Sequence, residues 1–100
     1  MPYEIVYVRE ALADLKRLPK GDRLAVLAQI EVFLTHEPAK ESRSRIRRLR
    51  RGVFPPYRLR IDPYRVLYDQ DAQTLQVVVH GVGRKPEIYE RLRRQEEQIQ

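Results

Sequence analysis

The stretch YRLRIDPYRVLYD, residues 57–69, alternates arginine with aliphatic or aromatic residues on both sides of an Asp-Pro pair. Successive side chains of a β-strand point to opposite faces, so this alternation predicts two strands, each with one apolar and one basic face. The Asp62-Pro63 pair is typical of a turn and predicts a hairpin. Because proline cannot adopt the positive φ of a two-residue type I′ turn, we expect a four-residue loop closed by Arg60 and Arg65.

This register sets arginines against each other on one face of the hairpin. Arg60 lies opposite Arg65, and Arg58 shares their face. Like charges opposed across two strands destabilise a sheet by up to about 1 kcal/mol. A bound phosphate or an acidic neighbour would remove the repulsion; the acidic candidates are Glu41, Asp69 and Glu87. The other face is expected to pack against helices through Tyr57, Leu59, Ile61, Tyr64, Val66 and Tyr68.

Hydrophobic periodicity predicts the elements that precede this hairpin. The run YEIVYV at residues 3–8 predicts a strand, and the apolar positions of residues 11–18 predict an amphipathic helix that ends before Pro19. Asp22 is a suitable N-cap for a second helix that runs to about Thr35. Two helices joined by so short a link predict a helical hairpin.

The remaining elements follow from the same patterns. Residues 46–49 predict a strand edge, residues 64–70 the second strand of the hairpin, and residues 74–82 a strand whose VVV run indicates the centre of the sheet. Pro86 and Glu87 are expected to open a last helix. Its apolar stripe consists of Ile88, Leu92 and Ile99.

Together these elements predict an α+β fold in a single domain spanning residues 1–100. It consists of an N-terminal strand, a helical hairpin, and a three- to four-stranded, mainly antiparallel sheet with a short C-terminal helix. We expect the helices to gather on one side of the sheet.

The net charge of +6 comes from one segment. Residues 43–65 carry nine arginines and one aspartate, giving +8, and the segments before and after sum to −1 each. We call residues 43–65 the arginine block. A solvated face is one explanation, but the interleaved apolar residues and the preference of arginine for bidentate phosphate contacts favour a polyanion partner. The arginines of the block outside the hairpin that are predicted to bind RNA are Arg45, Arg47, Arg48, Arg50 and Arg51.

Several other kinds of site find no support in the sequence. The chain has no cysteine, no apolar run long enough to span a bilayer and no signal region at its start, so we expect a cytoplasmic protein without membrane contact. His36 and His80 are too few and too far apart in sequence to favour a metal site, and neither a metal nor a cofactor is expected. Asp69 and Asp71 are expected to serve a hairpin turn.

Several short motifs occur here in a characteristic order and spacing: A-x-x-D-L at residues 11–15, L-x-x-x-P at 34–38, L-R-R-G at 49–52, Y-R-L-R-I-x-x-Y-R-V-L-Y at 57–68, and V-G-x-x-x-E-I-Y at 82–89. On these motifs the chain resembles the RelE/ParE superfamily of type II toxin–antitoxin toxins, and specifically its RelE-like mRNA interferases. The resemblance covers roughly residues 3–89.

The resemblance implies a small sheet on a helical hairpin, with a basic face that binds messenger RNA, commonly on the ribosome. The implied reaction is attack of a ribose 2′-hydroxyl on the adjacent phosphate, without a metal. The catalytic positions of the family fall on Arg58, Arg60, Arg65, Lys85 and Tyr89 of this sequence. Arg84 is the alternative to Lys85 and a further predicted RNA contact.

This chain departs from the family at two of those positions, because Arg58 and Arg60 stand where lysine is expected. Arginine does not give up its proton in proteins, so these residues can only position and stabilise the phosphate. The hypothesis is that Arg65 is the main phosphate clamp. Tyr89 would then orient or deprotonate the 2′-hydroxyl, and Lys85 would donate a proton to the leaving oxygen.

Two other functions stay open at this point. Some ParE-like members of the superfamily inhibit DNA gyrase without cutting RNA. Because lysine is absent at positions 58 and 60, inhibition of gyrase stays an alternative hypothesis. A plain nucleic-acid-binding module would also use the arginine block. Under either toxin reading we expect an acidic antitoxin that wraps the sheet and covers the arginine block.

Overall fold

The computed structural model describes the backbone of residues 1–99 and the side chains of residues 1–95. It consists of a five-stranded sheet and three helices. The elements in chain order are β1 (Glu4–Tyr7), α1 (Arg9–Arg17), α2 (Lys20–Leu34), β2 (Ile46–Arg48), β3 (Tyr57–Ile61), β4 (Tyr64–Asp71), β5 (Gln76–Arg84) and α3 (Lys85–Ile99). Among these residues, no helix is both long enough and apolar enough to cross a membrane.

The strands are arranged in the order β1-β5-β4-β3-β2, with β1 parallel to β5 and every other pair antiparallel. The predicted α+β fold is therefore confirmed. The prediction that β5 is the central strand is wrong, because β4 occupies that place. The VVV run of β5 reflects burial between β1 and β4, and such burial is shared by every internal strand.

The register predicted for the β3–β4 hairpin is confirmed. Arg60 pairs with Arg65, and Ile61 pairs with Tyr64. The four-residue loop is wrong: Asp62 and Pro63 alone connect the strands, through a cis peptide bond. Proline excludes the two-residue turns that need a positive φ, but a turn with cis proline in its third position needs none.

The core lies between one face of the sheet and the α1–α2 hairpin. The predicted apolar face of β3 and β4 is buried there against Val26, Ile30 and Leu34 of α2. Tyr57 and Tyr68 stack with ring centroids 5.5 Å apart. The Tyr68 hydroxyl donates a hydrogen bond of 2.6 Å to the carbonyl of Pro38. This contact ties the proline of the L-x-x-x-P motif to the centre of the sheet.

Raising the pH above 10 is expected to lower the free energy of unfolding. Burial raises the pKa of Tyr68 well above its usual value of 10.0, so the hydroxyl ionises in the unfolded chain before it does in the folded one. Its contribution to stability is therefore complete below pH 10 and is lost as the pH rises further, by up to about 1.4 kcal/mol per pH unit. Urea unfolding at several pH values measures the slope.

The variant Tyr68→Phe is the control for that slope. It should be less stable at neutral pH, because the hydrogen bond to Pro38 is lost, yet its stability should fall less steeply above pH 10. Burial also raises the pKa of Tyr7, and a hydrogen bond to Asp22 raises that of Tyr64, so part of the slope should remain. Equal slopes in the two proteins would contradict the role given to Tyr68.

The C-terminal helix α3 packs on the face of the sheet opposite the α1–α2 hairpin. Ile88 and Leu92 of α3 form a second apolar cluster with Leu67 of β4. The expectation that all helices lie on one side is therefore wrong. Glycine in β5 leaves room for α3 on that face: a Cβ on Gly81 would lie 2.5 Å from Nη2 of Arg91 and 3.1 Å from Ile88 Cδ1, whereas one on Gly83 would lie 3.4 Å from Ile88 Cβ, at the edge of ordinary contact. Ile99, the third residue of the predicted stripe, lies outside the described side chains.

An ion pair between a buried carboxylate and a partly buried guanidinium joins α1 to α3. Both guanidinium Nη atoms of Arg91 donate to the carboxylate of Asp14, each at 2.8 Å. The same carboxylate accepts the backbone N–H of Val82 at 2.9 Å, where β5 extends beyond its pairing with β1. Asp14 is the acidic residue of the A-x-x-D-L motif, so this motif connects α1, β5 and α3.

Candidate functional site

The Arg60–Arg65 pair is bridged by an aspartate of its own hairpin. Oδ2 of Asp62 accepts from Nε and Nη2 of Arg60, both at 2.8 Å, and Oδ1 accepts from Nη1 of Arg65 at 3.0 Å. The hydrogen bond from Arg60, followed by that from Arg65, lowers the pKa of Asp62. None of the acidic neighbours proposed from the sequence takes this place. The turn brings Asp62 back over the two arginines, which its role as a turn former did not suggest.

Arg58 lies on the basic face, the face of the sheet that carries Arg47, Arg58, Arg60 and Arg65. It pairs with Leu67 of β4 and with Arg47 of β2, so all three side chains share the face on which α3 packs. Its guanidinium donates to the backbone carbonyl of Arg45 at 3.1 Å. Partial burial lowers the pKa of Arg58, the nearby Tyr89 opposes this effect, and the charges of Arg65, Arg47 and Arg60 lower it further. Three arginines and a tyrosine therefore lie within electrostatic range of Arg58.

Tyr89 reaches this cluster because α3 lies across the sheet. Its neighbour Ile88 is seated over the β5 glycines, and Tyr89 itself packs against the second apolar cluster together with Leu49 and Val53. Tyr89 also lines an open groove of about 490 Å³ between α3 and the loop that follows β2. Arg50 of that loop and Arg93 of α3 line the same groove. Tyr89 thus lines this groove and also lies within electrostatic range of Arg58.

Three of the predicted RNA-binding arginines do not share the face of Arg58. They contact aromatic rings on the sheet face that packs against the α1–α2 hairpin. Their guanidinium carbons lie over aromatic ring centroids at 5.1, 5.2 and 5.5 Å in the pairs Arg45–Phe33, Arg48–Tyr57 and Arg84–Tyr64, respectively. Such cation–π contacts hold the side chains against the core. The structure therefore divides the predicted RNA-binding arginines between the two faces, and the guanidinium groups of these three lie on the face opposite that of Arg58, although Arg58 bonds the backbone carbonyl of Arg45.

The remaining predicted residues lie at the margins. Lys85 is the exposed first residue of α3, and no hydrogen bond or ion pair described for residues 1–95 connects it to the arginine cluster. Arg51 is exposed in the loop between β2 and β3, beside Gly52, whose φ of 86° suits glycine. Arg47 and Arg50 are the members of the block that accompany the hairpin arginines towards α3.

His80 and the two aspartates expected in the turn make contacts within the fold. His80 meets the edge of Phe54 with ring centroids 5.0 Å apart, and burial lowers its pKa. Asp71 accepts from the backbone N–H groups of residues 73 and 74, as expected for a turn. Asp69 does not lie in the turn. It belongs to β4 and pairs with Val78 of β5. Among the described side chains, no group of three acidic or histidine residues forms a candidate metal site.

Two contacts of the structure were not predicted from the sequence. Asp62 was assigned only to the turn, although its position two residues after Arg60 and three before Arg65 was a usable signal. The contact between Asp14 and Arg91 had no such signal, because 77 positions separate the two residues.

Several solved structures share this architecture. A chain of the RelBE2 toxin–antitoxin complex from Mycobacterium tuberculosis is 28% identical over 85% of this chain and 100% of its own, with a TM-score of 0.70. The archaeal RelE–RelB complex from Pyrococcus horikoshii OT3 gives 22% identity, coverage of 86% and 98%, and a TM-score of 0.70. A double arginine-to-alanine mutant of E. coli RelE in the free state is 20% identical over 95% of this chain and 98% of its own, with a TM-score of 0.69.

Sequence comparison alone finds less. No family model matches the chain, and no curated protein matches it significantly. The structural likenesses confirm the RelE-like fold and the resemblance to RelE toxins that the motifs predict.

Proposed function

We propose that this protein is the toxin of a type II toxin–antitoxin system and cleaves messenger RNA, with the ribosome as the place of action in the cytoplasm. One observation carries the proposal. Arg58 stands in electrostatic range of three further arginines and of Tyr89, on the sheet face opposite the α1–α2 hairpin. Guanidinium groups bind phosphate through paired hydrogen bonds, and a phenol beside them can reach a neighbouring hydroxyl.

The proposed reaction is an internal transfer within the RNA strand. The ribose 2′-oxygen attacks the adjacent phosphorus, the bond from phosphorus to the 5′-oxygen breaks, and a 2′,3′-cyclic phosphate remains. Arg58 and Arg65 hold the phosphate and stabilise the charge that develops on it, the kind of interaction that contributes most to many enzymatic rates. Tyr89 orients the 2′-hydroxyl or accepts its proton, and Lys85 supplies a proton to the 5′-oxygen.

The proposed roles of Tyr89 and Lys85 rest on different observations. The role of Tyr89 is supported by its electrostatic effect on Arg58 and by the packing of α3 on the basic face. Lys85 sits one turn earlier on α3 and is assigned by the resemblance alone. Arg47 and Arg50 are proposed to contact neighbouring phosphates of the strand, and their loss should weaken RNA binding more than the chemical step.

The partner of the free toxin is proposed to be an acidic antitoxin. The similar structure from M. tuberculosis is a toxin–antitoxin complex, and that from P. horikoshii is a RelE–RelB complex. The basic face of this chain offers a charge that an acidic segment complements. Such a partner would cover the arginines that the RNA needs and so stop cleavage.

Induced expression of the protein in cells, followed by mapping of RNA 5′ ends, tests this function. We expect in-frame cuts within translated messages, with a cyclic phosphate on the upstream fragment, and we expect co-expression of an acidic antitoxin to suppress them. DNA damage without such cuts would instead indicate inhibition of gyrase. Binding of RNA without cuts or growth arrest would leave only a nucleic-acid-binding module.

A further inference from the structure

The carboxylate of Asp62 occupies the position at which the hairpin arginines would bind a phosphate. Each of its oxygens is engaged by a different guanidinium, at 2.8 Å for Arg60 and 3.0 Å for Arg65. Carboxylate and phosphate oxygens are recognised by guanidinium through the same fork geometry. A phosphate oxygen that accepts from the same groups, Nε and Nη2 of Arg60 and Nη1 of Arg65, would therefore displace the Asp62 carboxylate.

The members of this cluster differ in how far they can move. The Asp62 side chain is 58% exposed and lies at the tip of the hairpin, whereas the Arg65 side chain is only 10% exposed. Arg65 is held a second time, by a 3.0 Å hydrogen bond to the carbonyl of Tyr64. Exposed ion pairs are weak because solvent and salt screen them. The carboxylate is thus the part that yields, while the buried arginine stays in position.

We propose that Asp62 is a built-in competitor for RNA: a phosphodiester group takes its place on Arg60 and Arg65 when the strand binds. This inference rests on the proposed function and adds a determinant of affinity to it. Asp62 relieves the repulsion between the opposed arginines in the free protein, so the basic face is stable without a ligand. The same contact lowers the affinity for RNA by the free energy needed to displace it.

The variant Asp62→Asn tests the proposal with a sign opposite to that expected for the loss of a binding residue. Binding of a labelled, 2′-O-methylated RNA oligonucleotide, which cannot undergo 2′-hydroxyl attack, should be about three- to fivefold tighter than for the unsubstituted protein, in line with the small energies of exposed ion pairs. The gain should shrink between about 50 mM and about 300 mM salt, because screening weakens the competing pair.

Two further variants separate local competition from a change in net charge. Glu37→Gln removes the same charge at an exposed site, where the ion pair described for Glu37 within residues 1–95 is that with Lys40 at 3.6 Å. It should change the affinity by less than about twofold, since it lies outside the basic face. In a protein that already carries glutamine at positions 60 and 65, Asp62→Asn should give no more than the Glu37→Gln effect.

Cleavage of a message on programmed ribosomes completes the test. If the unsubstituted protein cleaves, but Asp62→Asn binds no tighter than Glu37→Gln, the competition is refuted and the proposed function stands. If Asp62→Asn cleaves more slowly at saturating protein, Asp62 positions Arg65 instead of competing with RNA, and the inference is again wrong. If the unsubstituted protein neither binds nor cleaves RNA, both proposals fail.

Discussion

Alanine in place of Arg58 is expected to lower the rate of RNA cleavage by about 10²- to 10³-fold, the usual effect of removing one group that stabilises developing charge. Arg58 is the arginine whose environment includes Tyr89 as well as the other three charges of the basic face. Its one described hydrogen bond goes to a backbone carbonyl, that of Arg45, so its loss should leave the fold intact. Cleavage of a message on programmed ribosomes measures the rate, and circular dichroism checks the fold.

Arg48→Ala is the matched control for this experiment. Arg48 belongs to the same arginine block but lies over the ring of Tyr57 and donates to its hydroxyl at 3.1 Å. We expect a small loss of stability and nearly full cleavage. Arg58→Lys should recover only part of the rate, because an ammonium keeps the charge without the paired donors. Full cleavage by a folded Arg58→Ala protein would remove the residue from the site.

Arg65 offers a less direct test, although it was predicted to be the main clamp. Its side chain is buried and bonded both to Asp62 and to the carbonyl of Tyr64. Alanine at position 65 would therefore disturb the β3–β4 turn and free Asp62 at the same time as it removes a phosphate contact. A loss of cleavage in that variant could come from either cause.

The second large effect concerns stability. Alanine in place of Asp14 is expected to lower the free energy of unfolding by about 3 kcal/mol, the lower end of the range for a broken buried pair, because the partly buried guanidinium of Arg91 loses both hydrogen bonds to Asp14 but keeps its 3.3 Å contact with Glu10. The backbone N–H of Val82 loses its acceptor as well. A domain of this size is usually stable by about 5–15 kcal/mol, so the variant should unfold at markedly lower urea concentration.

Arg17→Ala provides the comparison for Asp14. Arg17 bonds the same carboxylate at 3.1 Å, but its side chain is 73% exposed. Its removal should cost less than about 1 kcal/mol, as for other exposed pairs. If Asp14→Ala were no more destabilising than Arg17→Ala, the contact between α1 and α3 would not hold the fold together.

The β3–β4 hairpin shows how far the sequence could be interpreted. The alternation of residues 57–69 predicted the strands, their buried face and the pairing of Arg60 with Arg65, and each of these is confirmed. The period of two is a property of the extended backbone itself, so it is visible in the chain before any tertiary contact forms. The same local signals predicted the helical hairpin and the order of the elements.

The grouping of the site residues was beyond such signals. Arg47 and Arg48 are neighbours in the chain, yet one joins Arg58 and the other lies over Tyr57 on the opposite face. A charge count over the arginine block treats them alike. Only the pairing of β2 with β3 and the aromatic rings of the core separate them.

The sequence by itself determined the elements, the register of the hairpin and the existence of a basic face, because these depend on backbone periodicity and on charge within one short segment. Tertiary structure decided which side of the sheet α3 covers, and thereby brought Tyr89 to Arg58. That placement depends on the space over Gly81 and Gly83 and on the contact of Asp14 with Arg91 across 77 positions. Close approach and charge pairing over such a distance arise only when the chain has folded.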